Sequence, residues 1–234
     1  MPFALADAPP VRHLTVAPLG EVPATIPDSC WIAGAVDAIA TKSPHALREA
    51  IRELPDGHLG LRYFRLGYPD ADDVWATPDL AYLPHLHATS WRPEQLRDEG
   101  WYRFVEAGVF SLIPRLNGGQ PSDVLALLLG QKFKMFQGPR ALDRARAELA
   151  DPNAPALPVF GTRSNVSAPF VPDHAYLLTA ATADGFTVQD SVTRRTFTVD
   201  DATLSAALHG VSVRDAGRSD AFGFTGRGGA TRRY

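Results

Sequence analysis

Among the residues able to do covalent chemistry, Cys30 stands out. It is the only cysteine in 234 residues, so the chain can form no internal disulfide and no cysteine-based zinc or iron–sulfur cage. In DSCWIAGAVDAIA (residues 28–40) it opens a run that is apolar on nearly all faces, with Asp37 as its one charge. That pattern predicts a helix buried in a core, entered through the turn residues Pro27 and Asp28. A thiol in the first turn of such a helix meets unpaired N–H groups and the positive end of the helix dipole, and both favour a thiolate. The same N–H groups can line an oxyanion hole. A lone cysteine on an apolar helix is more often a small core residue, so the chemical reading requires a base elsewhere in the chain.

Seven histidines are available, and six of them (His13, His45, His58, His85, His87 and His209) fall in loops or at helix ends where a solvated or structural role suffices. His174 differs. It opens the strand HAYLLTAAT directly after the loop SAPFVPD, held by the strand yet at its mouth. Sixteen residues later, Asp190 ends the strand FTVQDS. The two strands are joined by the turn ADG, so the start of one lies beside the end of the other. A base and its orienting carboxylate need that neighbourhood. Taken alone, Asp190 reads as a strand-end turn residue. Together, a Cys at a helix start, a His at a strand start and an Asp at the paired strand end read as nucleophile, general base and orienting carboxylate.

The elements that must position these groups divide along the chain. Residues 1–28 are Pro-rich and are expected as an extended arm. Residues 29–150 are expected to be mainly helical. After the opening helix, Ser43 and Pro44 start a second, with Leu47, Ala50, Ile51 and Leu54 on one face. Leu61–Leu66 and Asp73–Thr77 read as a strand pair around YPDADD. Trp101 to Leu112, Val124 to Leu129 and Pro139 to Ala150 read as further helices, the second of them ended by Gly130.

Beyond the break DPNAPALP, residues 151–214 read as strands: Leu157–Gly161, Ala175–Thr182, Phe186–Asp190, Thr196–Val199 and Val211–Val213, with a short helix near Asp201–Leu208. Residues 215–234 form a GR-rich tail expected to be mobile. The fold class expected is α+β, with a helical lobe facing an antiparallel β-lobe across a cleft.

The composition is that of an ordinary globular chain, 45% hydrophobic and 21% charged, which excludes wholesale disorder. A net charge of −3 argues against a general nucleic-acid binder, and no apolar run approaches a membrane span of about 20 residues. Residues 1–16 show neither a basic n-region nor an unbroken apolar h-region, so no signal peptide is expected. No metal or cofactor is called for.

Three segments carry a resemblance. DSCWIAGAVDAIA resembles the catalytic-Cys segment of calpain-type cysteine proteases. GWYRFVEAGVFSLIPRLNGGQPSDVLALLLG resembles the stretch in which a Trp- and Glu-bearing helix leads to a Gly-Gly turn. VFGTRSNVSAPFVPDHAYLLTA resembles the catalytic-His strand. In that order they are spread through residues 25–213. The resemblance implies a papain-like two-lobed fold that cleaves a protein or peptide substrate. Cys30 would be the nucleophile, His174 the general base and Asp190 the third member, with Trp31, Gly118, Gly119 and Asp173 along the substrate cleft.

Two features depart from calpains. Asp190, followed by Ser191 and Val192, stands where they have Asn-Pro-Trp-Gly, closer to bacterial effector or bacteriocin-processing papain-like peptidases. Ala24 occupies the place of the oxyanion-hole Gln, leaving Thr25, Ser29 or a backbone N–H as second donor. The same order of Cys, His and Asp also suits transglutaminase- or deamidase-type acyl transfer. The missing Gln suits a papain-like binding domain without activity.

Overall fold

The structure, a computed structural model of the chain, describes residues 9–11, 14–16, 29–54, 57–65, 77–82, 93–96, 100–113 and 119–215. Within these it is α+β, with six α-helices and two antiparallel sheets. Among the described residues no helix is long and apolar enough to cross a membrane.

Helix α1 (Cys30–Lys42) is buried from Trp31 to Ala40, as its all-round apolar sequence requires. Around it pack α2 (Pro44–Ala50), α3 (Gly100–Leu112) and α4 (Pro121–Leu129). Ile32, Ile39, Leu47, Phe104 and Leu125, all fully buried, belong to the core they share. α2 is shorter than its sequence period suggests. Ile51 leaves the helix and begins β1 (Ile51–Glu53), which pairs with β2 (Leu59–Arg65), and β2 pairs with β3 (Thr77–Tyr82). Of the expected arm, Pro9 and Val11 hydrogen-bond along β1. Most of the expected strand at Asp73–Thr77, and the tail from residue 216, lie outside the described residues.

The second sheet has six strands in the order β4-β9-β5-β6-β7-β8, all antiparallel. They are β4 (Phe133–Phe136), β5 (Val159–Thr162), β6 (Ala175–Ala181), β7 (Gly185–Asp190), β8 (Thr196–Asp200) and β9 (Leu208–Arg214). The short strand β4 joins this sheet although its segment precedes residue 151. α5 (Arg140–Ala150) packs against the sheet through Ala141, Leu142 and Ala145. α6 (Asp201–Ala207) starts at Asp200, whose carboxylate accepts the Thr203 N–H at 2.6 Å. Phe160, Tyr176, Phe186 and Val211 centre the core between sheet, α5 and α6.

One contact joins the two halves closely. α1 lies against β5 and β6, and at Gly34, one turn after Cys30, a Cβ would stand 3.0 Å from Val159 Cγ1 and 3.5 Å from the Ala175 Cβ. A larger residue there would push the helix off the sheet. Gly34→Val is expected to destabilise the fold by about 1–3 kcal/mol, the usual cost of overpacking. It should also slow alkylation of Cys30, because the helix that presents the thiol would be displaced. Thermal unfolding and thiol labelling of the variant check both; a wild-type labelling rate would mean that the approach at Gly34 does not set the site.

Candidate active site

Cys30 is the first residue of α1 and is half-buried. The Ser29 carbonyl already accepts the N–H groups of Ile32 and Ala33. The Cys30 and Trp31 amides precede the first intrahelical bond, and the cap residue adds no side-chain hydrogen bond. A backbone donor therefore lies beside the thiol. Ser29 itself is buried, and its hydroxyl donates to Glu106 Oε1 at 2.6 Å. Tyr102 donates to the same oxygen at 3.3 Å, and burial followed by the Glu106 charge pushes its phenol far up. The Ser29 hydroxyl is thus engaged under the helix start, anchoring it to α3, rather than offered as an oxyanion donor. Thr25, the other candidate donor, lies outside the described residues.

His174 sits just ahead of β6, where Thr162 brackets it. Its N–H donates to Thr162 Oγ1 at 2.9 Å, and its carbonyl accepts the Thr162 N–H, also at 2.9 Å. The imidazole stands edge-on to Tyr176 at 4.9 Å, and Tyr176 is itself packed among Phe160, Phe170 and Phe197. On the neighbouring strand Asp190 faces Tyr176 in register. His174 Nε2 and Asp190 Oδ1 are 3.1 Å apart. With Nε2 occupied in this way, Nδ1 is the nitrogen left for the thiol.

The Asp190 oxygen does more than orient the ring. Oδ1 also accepts the N–H groups of Val192 at 2.8 Å and Thr193 at 3.1 Å. The turn role and the imidazole-orienting role, alternatives in the sequence, are therefore carried by one atom. Burial works against the Asp190 charge, but the hydrogen bonds from His174, Val192 and Thr193 outweigh it and hold the carboxyl down at about 2. Burial likewise works against a charged His174. The hydrogen bond to Asp190, together with the hydrogen bonding and charge of Cys30, overcomes it, and the imidazole is pushed up to about 9. Cys30, His174 and Asp190, far apart in sequence, thus form one electrostatic unit.

Of the residues expected along a cleft, three lie within the described residues. Trp31 is 3% exposed, so it forms a floor rather than a contact surface. Gly119 lies directly on it: a Cβ there would come within 2.7 Å of the indole ring. Gly118 lies outside the described residues. Asp173 is exposed, in the left-handed conformation (φ 50°) immediately before His174. Two residues absent from the sequence-based candidates also hold the site residues in place: Thr162 and Glu106. In the sequence only the lone Asp37, a charge on an otherwise apolar helix, signalled that a buried partner was needed, and Arg194 Nη1 supplies it. Among the described residues, no three His, Cys, Asp or Glu come together where they could hold a metal ion.

The two shifts set the pH range over which the His–Asp pair contributes to stability. His174 titrates at about 9 in the fold against about 6.5 unfolded, so its contribution is full below about pH 6.5 and is lost as pH rises through about 9. Asp190 titrates at about 2 against about 3.9 unfolded, so its contribution is full above about pH 4 and is lost as pH falls through about 2. In Asp190→Asn, an amide oxygen can still accept the imidazole N–H, and much activity should survive with the alkaline limb shifted to lower pH. Asp190→Ala should lose more turnover and also some melting temperature, because Val192 and Thr193 lose their acceptor as well. Rate–pH profiles and melts of both variants test this. An alanine variant with the wild-type profile would remove Asp190 from the site.

Gly119→Ala tests the floor. The added methyl should force the indole or the 119–120 segment to move, lowering the melting temperature and slowing Cys30 labelling; unchanged values for both would show that Trp31 and Gly119 do not support Cys30. Compared with known proteins, the sequence matches no family model and no curated relative.

Proposed function

We propose that the chain is a papain-like, calpain-type cysteine endopeptidase acting on protein substrates, its helical half and its β-rich half forming the two walls of the cleft. The observation that carries this reading is the 3.1 Å bond between His174 Nε2 and Asp190, made beside a cysteine on the first turn of a buried helix. In the resting enzyme the imidazolium, held by Asp190, keeps the Cys30 thiolate. The sulfur attacks the peptide carbonyl, and the oxygen that becomes negative is met by the Cys30 backbone N–H. His174 gives its proton to the departing amine, leaving a thioester on Sγ. The neutral ring then takes a proton from water, and the hydroxide formed attacks the thioester. The carboxylic acid is released and the ion pair restored.

The Asp carboxylate supports this cycle better than a neutral amide would, because the imidazolium recurs at the end of every turnover. The segments quoted for the calpain resemblance support the same reading. So does the Gly119–Trp31 contact, which ties the Gly-Gly turn to the residue after the nucleophile. A bacterial effector or toxin role fits the departure at Asp190.

Wild type and Cys30→Ala, each incubated with a cell lysate, should differ in new protein N-termini, with cleavage found only for the wild type. His174→Ala should be as inactive and should lose alkylation of Cys30 at neutral pH. Products that keep their length but show a deamidation mass shift, or covalent cross-links, would replace hydrolysis of peptides by acyl transfer. Turnover by Cys30→Ala would remove the nucleophile.

A further inference from the structure

Asp37 is fully buried on α1, two turns beyond Cys30 and on the same face of the helix. Its carboxylate Oδ2 is paired at short range with Arg194 Nη1. Gln189, with its amide oxygen turned toward the guanidinium, accepts from Arg194 as well. Arg194 reaches this place from the turn between β7 and β8, at φ 62°, a conformation uncommon for a residue with a side chain. Its own N–H donates to the Asp190 carbonyl at 2.9 Å. The residues just before it, Val192 and Thr193, are those whose N–H groups hold the Asp190 carboxylate. One turn therefore grips Asp190 at one end and α1 at the other.

We propose that the Arg194–Asp37 pair is a positioning brace: it ties the turn that holds the Asp190 carboxylate to the helix that carries Cys30, and so sets the imidazole against the sulfur. The inference rests on reading Cys30, His174 and Asp190 as the reacting unit. Arg194 is a positioning residue in it. The charged groups acting on His174 are Asp190 and Cys30, and Asp37 is about 10 Å further along α1. Arg194 thus works mainly through the placement of the turn and little through its field at the ring. A left-handed arginine in a short turn is costly unless something fixes it, and the buried carboxylate supplies that anchor.

The test is the pH dependence of Cys30 alkylation by iodoacetamide, which reads the thiol–imidazole unit without any substrate. In wild type the imidazolium beside the sulfur should keep Cys30 readily alkylated at and below neutral pH. In Arg194→Met labelling should fall by about tenfold at pH 7, and its rise with pH should move up toward the ordinary thiol range of about 8.5. Arg194→Lys, which keeps the charge and most of the reach, should recover most of the wild-type profile. Removing one partner of a buried pair can unfold a protein, so Asp37→Asn/Arg194→Gln serves as second probe. It leaves no buried charge and should fold, yet should show the same loss. A wild-type labelling rate at pH 7 in either the methionine or the double variant, at whatever melting temperature, would reduce the pair to a structural contact and overturn the proposal. If His174→Ala leaves the wild-type profile unchanged, the reacting unit itself is wrong and the brace falls with it.

Discussion

How far the Cys30 sulfur stands from the imidazole is set by the approach of α1 to β5 and β6, where the helix presents Gly34 to Val159 and Ala175. A side chain of ordinary size at that position would hold the helix off the sheet. The sheet in turn could not bring His174 forward, because Thr162 fixes its backbone from both sides. Neither half can adjust to the other after folding. The contact between them has to be right from the outset, and the packing of small residues on one face of α1 makes it so.

Polar links hold α1 at both ends of the helical stretch involved. Ser29 under the helix start is bonded to Glu106 of α3, and Asp37 two turns on is bonded to Arg194 of the β7–β8 turn. Apolar packing alone would tolerate a slide or rotation of α1 by a fraction of a turn at modest cost. A buried carboxylate that must keep its donors does not, since breaking such a pair leaves an uncompensated charge in a medium of low polarity. The two polar links therefore specify the placement of α1 more than they stabilise the fold.

Cys30, His174 and Asp190 were legible in the sequence because each marks an element boundary: a helix start, a strand start and the end of the paired strand. The hairpin turn between β6 and β7 let the His–Asp neighbourhood be inferred from chain geometry alone. Other features leave no such mark. Ile51 continues the 3.6-residue period of α2 and still leaves the helix, because pairing with β2 wins over local pattern. β4 is only four residues long and becomes a strand through its partner β9. Ser29 looked like an oxyanion donor because nothing in the chain announces Glu106, 77 residues away, as its acceptor. Asp37 plainly needed a cation, yet with the partner 157 residues distant the sequence alone did not single out Arg194.

Asp190 shows why the third member of the unit can be a carboxylate here. A carboxylate beside an imidazole is useful only if its own charge is secure, and at this site burial opposes that charge. The two backbone N–H groups of the following turn supply the compensation, on the same oxygen that meets the ring. An amide oxygen could fill the acceptor role, but it would bring no charge to balance the imidazolium, and its NH2 group would need an acceptor of its own in a largely buried place. The tight turn after Asp190, with Arg194 pinned at its far end, is therefore the structural condition for an aspartate at this position. The residues that follow, Ser191 to Arg194, build that turn. They serve a carboxylate that must be held charged, and an amide would not ask that of them.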